Sequence, residues 1–173
     1  ELKKRWGTVR YYNYYYKVKK AVDETRGQVL TYQGELIDPA YHASCGGRTE
    51  NAEDVWKYQV PYLKSVPCPY DSDPDPVQTA SFSFEQVDRV LGTSLAAVPA
   101  SGKEKAAGDI KLVEKTVTGR PKVLQIGSRQ YRAVAVRDLL GLRSTRFTWD
   151  IGGDTVTFTT TGYGHGVGLC QYG

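Results

Sequence analysis

Apolar positions recur along this chain with two different periods, and the two periods divide it into elements. In SFEQVDRVLG, residues 83–92, Phe84, Val87 and Leu91 share one face of a helix. Ser83 supplies the N-cap, Gln86 completes a capping box, and Gly92 ends the turn. A second short helix is predicted at VAVRDLLG, closed by Gly141. A third is predicted in KVKKAVDETRG, where Val18, Ala21 and Val22 share a face and Gly27 stops it. Period-two or β-branched runs predict strands in DIKLVEKTVTG, KVLQIGSRQYRA and RFTWDIGGDTVTFTTTG. QVLTYQGELIDPAYHAS reads as a hairpin turning at Gln33-Gly34, with His42 and Ser44 at its far end. RYYNYYY, residues 10–16, has strand propensity without alternation.

Five prolines at positions 61, 67, 69, 74 and 76 exclude a helix from VPYLKSVPCPYDSDPDP, and residues 92–108 read as a loose connector. No internal repeat is visible. The fold class that follows is α+β, mostly antiparallel β-sheets with a few short helices.

Composition narrows the function. A chain of 173 residues is long enough for one domain with a real core. No apolar run approaches the roughly 20 residues of a membrane span, and ELKKRWGTVR has no apolar signal-peptide stretch. The net charge of +4 is mild and its basic residues are scattered. That suits an acidic polymer such as a cell-wall glycan better than nucleic acid. Thirteen tyrosines and three tryptophans fit a carbohydrate groove, where flat rings stack on sugar faces.

Three cysteines, Cys45, Cys68 and Cys170, leave at least one unpaired. His42, Cys45 and Cys68 offer only three of the four ligands zinc wants, and there is no C-x-x-C pair. Free or singly bridged cysteines are therefore expected, with no metal and no cofactor.

Polar groups and glycine coincide in YHASCGGRTENAEDVW and GYGHGVGLCQYG. Loops of this kind are where binding and catalytic groups concentrate. A cysteine hydrolase would pair Cys45 with His165, or Cys170 with His42, but no spacing supports either pair. Glycoside cleavage needs a carboxylic acid that stays protonated. Glu53 and Asp54 read better as the acidic first turn of a short helix at AEDVW, which leaves Glu50 as the candidate acid.

These motifs stand in a recognisable order. AVDETRGQVLTYQGELIDPAYHASCGGRTENAEDVW, VPYLKSVPCPYD and GYGHGVGLCQYG, with GLRSTRF between, resemble the SpoIID/LytB family of bacterial sporulation and cell-wall proteins. The resemblance covers residues 17–173 as a partial SpoIID-like domain and leaves residues 1–16 unassigned. It implies a lytic transglycosylase acting on peptidoglycan glycan strands, preferably peptide-stripped, during engulfment. In that reaction one glutamate is first acid, then base, while the C6 hydroxyl of muramic acid closes a 1,6-anhydro ring. The resemblance to LytB-like members implies the alternative, a non-catalytic amidase enhancer that binds glycan.

Both readings imply an extracytoplasmic site in the cell wall or intermembrane space, a cell-wall amidase as partner, and a membrane anchor outside this segment. The expected glycan-binding residues are His42, Ser44, Thr49, Tyr62, Lys64, Tyr163, His165 and Gln171. Lys64 is expected to meet the lactyl carboxylate of a stripped muramic acid, and the glycines around His165 to let the backbone approach the ligand. The family's catalytic glutamate belongs to an upstream motif that ELKKRWG does not match. Cys45 and Cys170 stand where the family usually has serine or another small residue.

Overall fold

The computed structural model describes residues 1–96 and 110–173, in two compact units, Glu1–Asp38 and Pro39–Gly173. The connector expected at 92–108 lies largely outside the described residues.

The first unit contains α1 (Leu2–Trp6), α2 (Thr8–Glu24) and a hairpin of β1 (Thr31–Tyr32) and β2 (Glu35–Leu36). The strand expected at residues 10–16 is instead part of α2. Helical spacing stacks Tyr11 on Tyr15 and Tyr12 on Tyr16, each at 6.2 Å between ring centres, and i,i+4 ion pairs follow at Lys19–Asp23 and Lys20–Glu24. Those local pairs outweigh the β propensity of single tyrosines. The hairpin turns at Gln33-Gly34 as expected, with both residues at positive φ. Neither helix buries a residue within the unit. No helix of the described residues is long and apolar enough to cross a membrane.

The second unit is α+β. It runs β3 (Tyr41–His42), α3 (Ala52–Trp56), β4 (Val77–Ser83), α4 (Phe84–Leu91), β5 (Ile110–Lys115), β6 (Pro121–Ile126), β7 (Arg129–Arg132), α5 (Ala133–Leu140), β8 (Phe147–Gly152), β9 (Thr155–Thr161) and β10 (Leu169–Cys170). Strands β4, β9 and β8 form one antiparallel sheet, and β5, β6 and β7 another.

The helix at 84–91 is the one the sequence prescribes. Ser83 Oγ accepts from the Gln86 amide, the Gln86 side chain returns to the Ser83 amide, and Gly92 closes the turn at φ 68°. Its apolar face packs with Ala133, Val136 and Leu140 of α5, Leu124 and Ile126 of β6, and Val156 and Phe158 of β9. Each Val, Leu, Ile or Phe side chain among these contributes about 1.5–3 kcal/mol by leaving water. In β9 the pattern TVTFTTT points Val156, Phe158 and Thr160 inward and the intervening threonines outward.

A smaller core of Ala52, Val55, Leu63 and Val167 lies under the polar loops. Here the structure departs from expectation. His42 sits not on the 28–44 hairpin but on β3, which pairs in parallel with β10 and sets Cys170 opposite His42.

Candidate functional site

Residues 40–56, 60–72 and 162–173 are knitted into one body by backbone hydrogen bonds. Ser44 and Tyr163 exchange both of theirs, at 3.0 and 2.8 Å. The Glu50 amide donates to Gly166 O at 2.7 Å, the Thr49 amide to Val66 O at 3.0 Å, and the Cys68 amide to Gly47 O at 2.9 Å. Two glycines show what their missing side chains permit. A Cβ at Gly164, where φ is 109°, would stand 2.9 Å from the His42 Cβ. One at Gly166 would stand 2.6 Å from the Arg120 guanidinium. These two glycines make room for the chain's own His42 and Arg120.

The two histidines lie in a row of rings. Tyr58 stacks on Trp56 at 6.1 Å, Trp56 meets His165 at 5.3 Å, and His165 meets His42 at 5.6 Å. The row runs inward from Tyr58, 60% exposed, to His42, 4% exposed. Burial lowers both imidazole pKa values. The positive charges of Arg137 and Arg120 near His165, and of Arg120 near His42, act in the same direction. His42 Nδ1 stands 3.1 Å from Val167 O and therefore carries the ring proton. His165 Nδ1 accepts from the Val167 amide at 3.1 Å. A row ending in exposed aromatic faces can stack on a flat apolar surface and orient it with imidazole hydrogen bonds.

Glu50, whose amide is bound to the Gly166 carbonyl next to His165, is 1% exposed. Its Oε2 accepts from Thr118 Oγ1 at 2.6 Å and Thr116 Oγ1 at 3.0 Å, and pairs with Arg120 Nε at 3.3 Å. Arg120, equally buried, also donates to the carbonyls of Cys45 and Arg48. Burial depresses the Arg120 pKa and the Glu50 carboxylate opposes that shift. Asp71 Oδ2 accepts from the Gly46 amide, the Ser44 hydroxyl and the Cys45 thiol. Although burial opposes it, these donors hold the Asp71 carboxyl below its ordinary pKa.

The candidate residues therefore divide. His42, Ser44, Thr49 and Glu50 are buried, with Ser44 bound to Asp71 and Thr49 Oγ1 accepting from the Val66 amide at 2.8 Å. Tyr62 and His165 are half-buried, while Lys64, Tyr163 and Gln171 are exposed. Tyr163 carries Arg143 over its ring at 4.8 Å, and Lys64 pairs with Glu53 at 2.8 Å. Glu53 and Asp54 sit in the first turn of α3, as expected.

Cys45, 1% exposed, and Cys170, 5% exposed, offer no accessible nucleophile, and burial raises the Cys45 pKa, reinforced by the Cys68 thiol. The sequence reading missed Trp56, Tyr58 and Arg120. Trp56 and Tyr58 were legible as an aromatic pair at and just beyond the end of the candidate helix AEDVW. Nothing local to Arg120 pointed to Glu50.

No family model matches the chain. Among characterised sequences it is similar to Stage II sporulation protein D of Bacillus subtilis (strain 168), 38% identical over 177 aligned residues. That alignment takes in all of this chain and 48% of the relative. Stage II sporulation protein D of Bacillus amyloliquefaciens is 36% identical over 174 residues, with the same coverage. An amidase enhancer of Bacillus subtilis (strain 168) is 27% identical over 211 residues, covering 94% of this chain and 30% of the relative. The chain thus spans about half the length of the two sporulation proteins, and residues 1–16 fall inside those alignments.

Proposed function

We propose that this chain, which belongs to the SpoIID-like family, forms the glycan-holding part of a peptidoglycan lytic transglycosylase. The coarse role, in sporulation and in the cell wall outside the cytoplasm, has the support of two stage II sporulation relatives and an amidase enhancer. The finer reading rests on one observation, the row of rings Tyr58, Trp56 and His165 opening to the surface beside the 162–173 loop.

In this reading Trp56 and Tyr58 stack on sugar faces, and His165 and Gln171 donate or accept at hydroxyl and N-acetyl groups. Tyr163 and Tyr62 widen the platform. Lys64 reaches a lactyl carboxylate only by leaving Glu53, an exposed pair worth little in water. His42, Ser44, Thr49 and Glu50 hold the platform from beneath.

Glu50 is poorly suited to protonate a glycosidic oxygen. A general acid must reach the leaving group and hold a proton to give. Glu50 is enclosed, and its Oε2 is taken by two hydroxyls and a guanidinium. The transglycosylase acid is therefore a carboxylate of the whole protein other than Glu50.

Mass spectrometry of digested peptide-free glycan strands tests this, with the full native protein and this chain side by side. Anhydro-muramic ends from the native protein alone support the reading. The same ends from this chain overturn the placement of the acid. If neither cuts but both bind, the amidase-enhancer alternative replaces it, with a cell-wall amidase as the partner.

A further inference from the structure

Three thiols and one imidazole gather around the parallel β3/β10 pair, at the buried inner end of the row of rings. One ring nitrogen of His42 and the sulfurs of Cys45 and Cys170 lie within 4.8 Å of one another, and all three residues are buried. Cys68 joins them from the proline-rich segment. A Cβ built on Gly173 would overlap the Cys68 sulfur while standing 3.3 Å from that of Cys170. Cys68 itself is half-buried and stands outside the 4.8 Å set formed by the other three.

Packing alone does not account for this set. All three cysteines are free, and three thiols cannot all be satisfied by disulfides. With its proton fixed on Nδ1 by the Val167 carbonyl, His42 presents a bare lone pair at Nε2. That atom is buried and has no hydrogen-bond partner among the described residues. A buried acceptor left empty is costly, and native structures rarely keep one without a use.

Soft sulfur donors beside a neutral imidazole whose other N–H is fixed by a carbonyl are the ligand chemistry of tetrahedral zinc. Zinc–sulfur distances of about 2.3 Å put sulfurs about 3.8 Å apart in such a site; the ligand atoms of His42, Cys45 and Cys170 already lie within 4.8 Å of one another, and Cys68 has to swing in from beside Gly173 to close the set.

We propose that His42, Cys45, Cys68 and Cys170 bind one structural zinc ion. Each thiol gives up its proton to solvent and its sulfur donates a lone pair to the metal, with no electron transferred. Four protein ligands close the coordination sphere and leave no position for substrate. The bound set carries one net negative charge, beside Arg120, which already donates to the Cys45 carbonyl at 3.0 Å. Asp71 loses the Cys45 proton as a donor but keeps the Ser44 hydroxyl and the Gly46 amide. The ion ties β3, the 60–72 segment and β10 together, and so steadies the loop that carries His165. An expectation of no metal followed from three ligands close in sequence; the fourth comes from the far side of the chain.

The test uses the full chain, purified under reducing conditions without chelator. One zinc per chain by elemental analysis is expected. Cobalt(II) added in its place should give a sulfur-to-cobalt charge-transfer band and intense tetrahedral d–d bands. Cys45→Ser, Cys68→Ser and Cys170→Ser should each weaken zinc binding by more than about 100-fold, beyond what changes outside the ligand shell produce. Circular dichroism of each variant separates ligand loss from unfolding.

A metal-free chain that gives no thiolate–cobalt band overturns the site without recourse to any variant. So does a disulfide among these cysteines in the protein as isolated from cells. A Cys68→Ser variant with the parent's cobalt spectrum and affinity overturns the four-ligand assignment.

Discussion

Replacing Glu50 with glutamine tests whether this carboxylate is framework or catalyst. The substitution keeps shape and leaves an oxygen to accept from Thr116 and Thr118, but it removes the charge facing Arg120. Both partners are almost fully enclosed, at 1% and 3% side-chain exposure. Breaking a buried ion pair from one side costs about 3–5 kcal/mol, because the survivor is left as a buried charge.

Arg120 would keep the carbonyls of Cys45 and Arg48 as acceptors, which places the expected loss near the lower end, about 3 kcal/mol. For a domain of this size that lowers Tm by about 6–12 °C. The double variant Glu50→Gln/Arg120→Met removes the stranded charge as well and should regain part of the loss. Urea denaturation of the parent, both single variants and the double variant gives the coupling energy. A Glu50→Gln protein within about 0.5 kcal/mol of the parent would refute the framework argument. If the full native protein carrying it also ceased to cut glycan, Glu50 would be the proton donor after all.

Three further outcomes are expected. Gly164→Ala should destabilise by more than about 1 kcal/mol in urea melts, since its φ of 109° and the His42 Cβ both resist a side chain. Trp56→Ala and Tyr58→Ala should each weaken binding of soluble glycan strands about tenfold by calorimetry, Tyr58→Ala with unchanged melting and Trp56→Ala with a lower melting temperature because Trp56 packs against the smaller core; equal affinity would refute the role proposed for the rings.

Asp88 supplies a pH signature. Burial opposes its charge, but the Thr93 hydroxyl and the amides of Ala96 and Leu95 hold its pKa below the ordinary value. The folded state thus prefers the ionised form. Its contribution is fully present above the unfolded carboxyl pKa of about 3.9 and is lost as pH falls through the lower folded value. Asp88→Asn should flatten that part of the acid limb in urea midpoints measured from about pH 5 downward.

Elements whose signals are local were legible in the sequence. The α4 capping box, the Gly141 stop of α5, the turn at Gln33-Gly34 and the alternation in β9 are each set by residues within a few positions. The aromatic run at 10–16 misled because β propensity was read residue by residue, whereas the i,i+4 tyrosine stacks that favour the helix are a property of pairs. The site divided in the same way. Its loops were identifiable from glycine and polar content, but inside and outside were not. Nothing in the 162–168 stretch says that its glycines yield to His42 and Arg120 rather than to a ligand. Nor does local sequence bring Cys170 to His42, since that meeting depends on the parallel register of β3 and β10.

That register also sets an order of events during synthesis. β3 has no partner until residues 169–170 exist, and Glu50 meets the Gly166 carbonyl only once the glycine-rich loop has been made. A nascent chain that has reached the end of β9 can assemble the large helix–sheet core, whose members all lie between positions 80 and 158. The smaller core under the polar loops still lacks Val167 at that point. The scaffold can therefore form ahead of the polar loops, and chains interrupted before position 162 would emerge folded in their sheets yet without the 162–173 loop that knits residues 40–56 together.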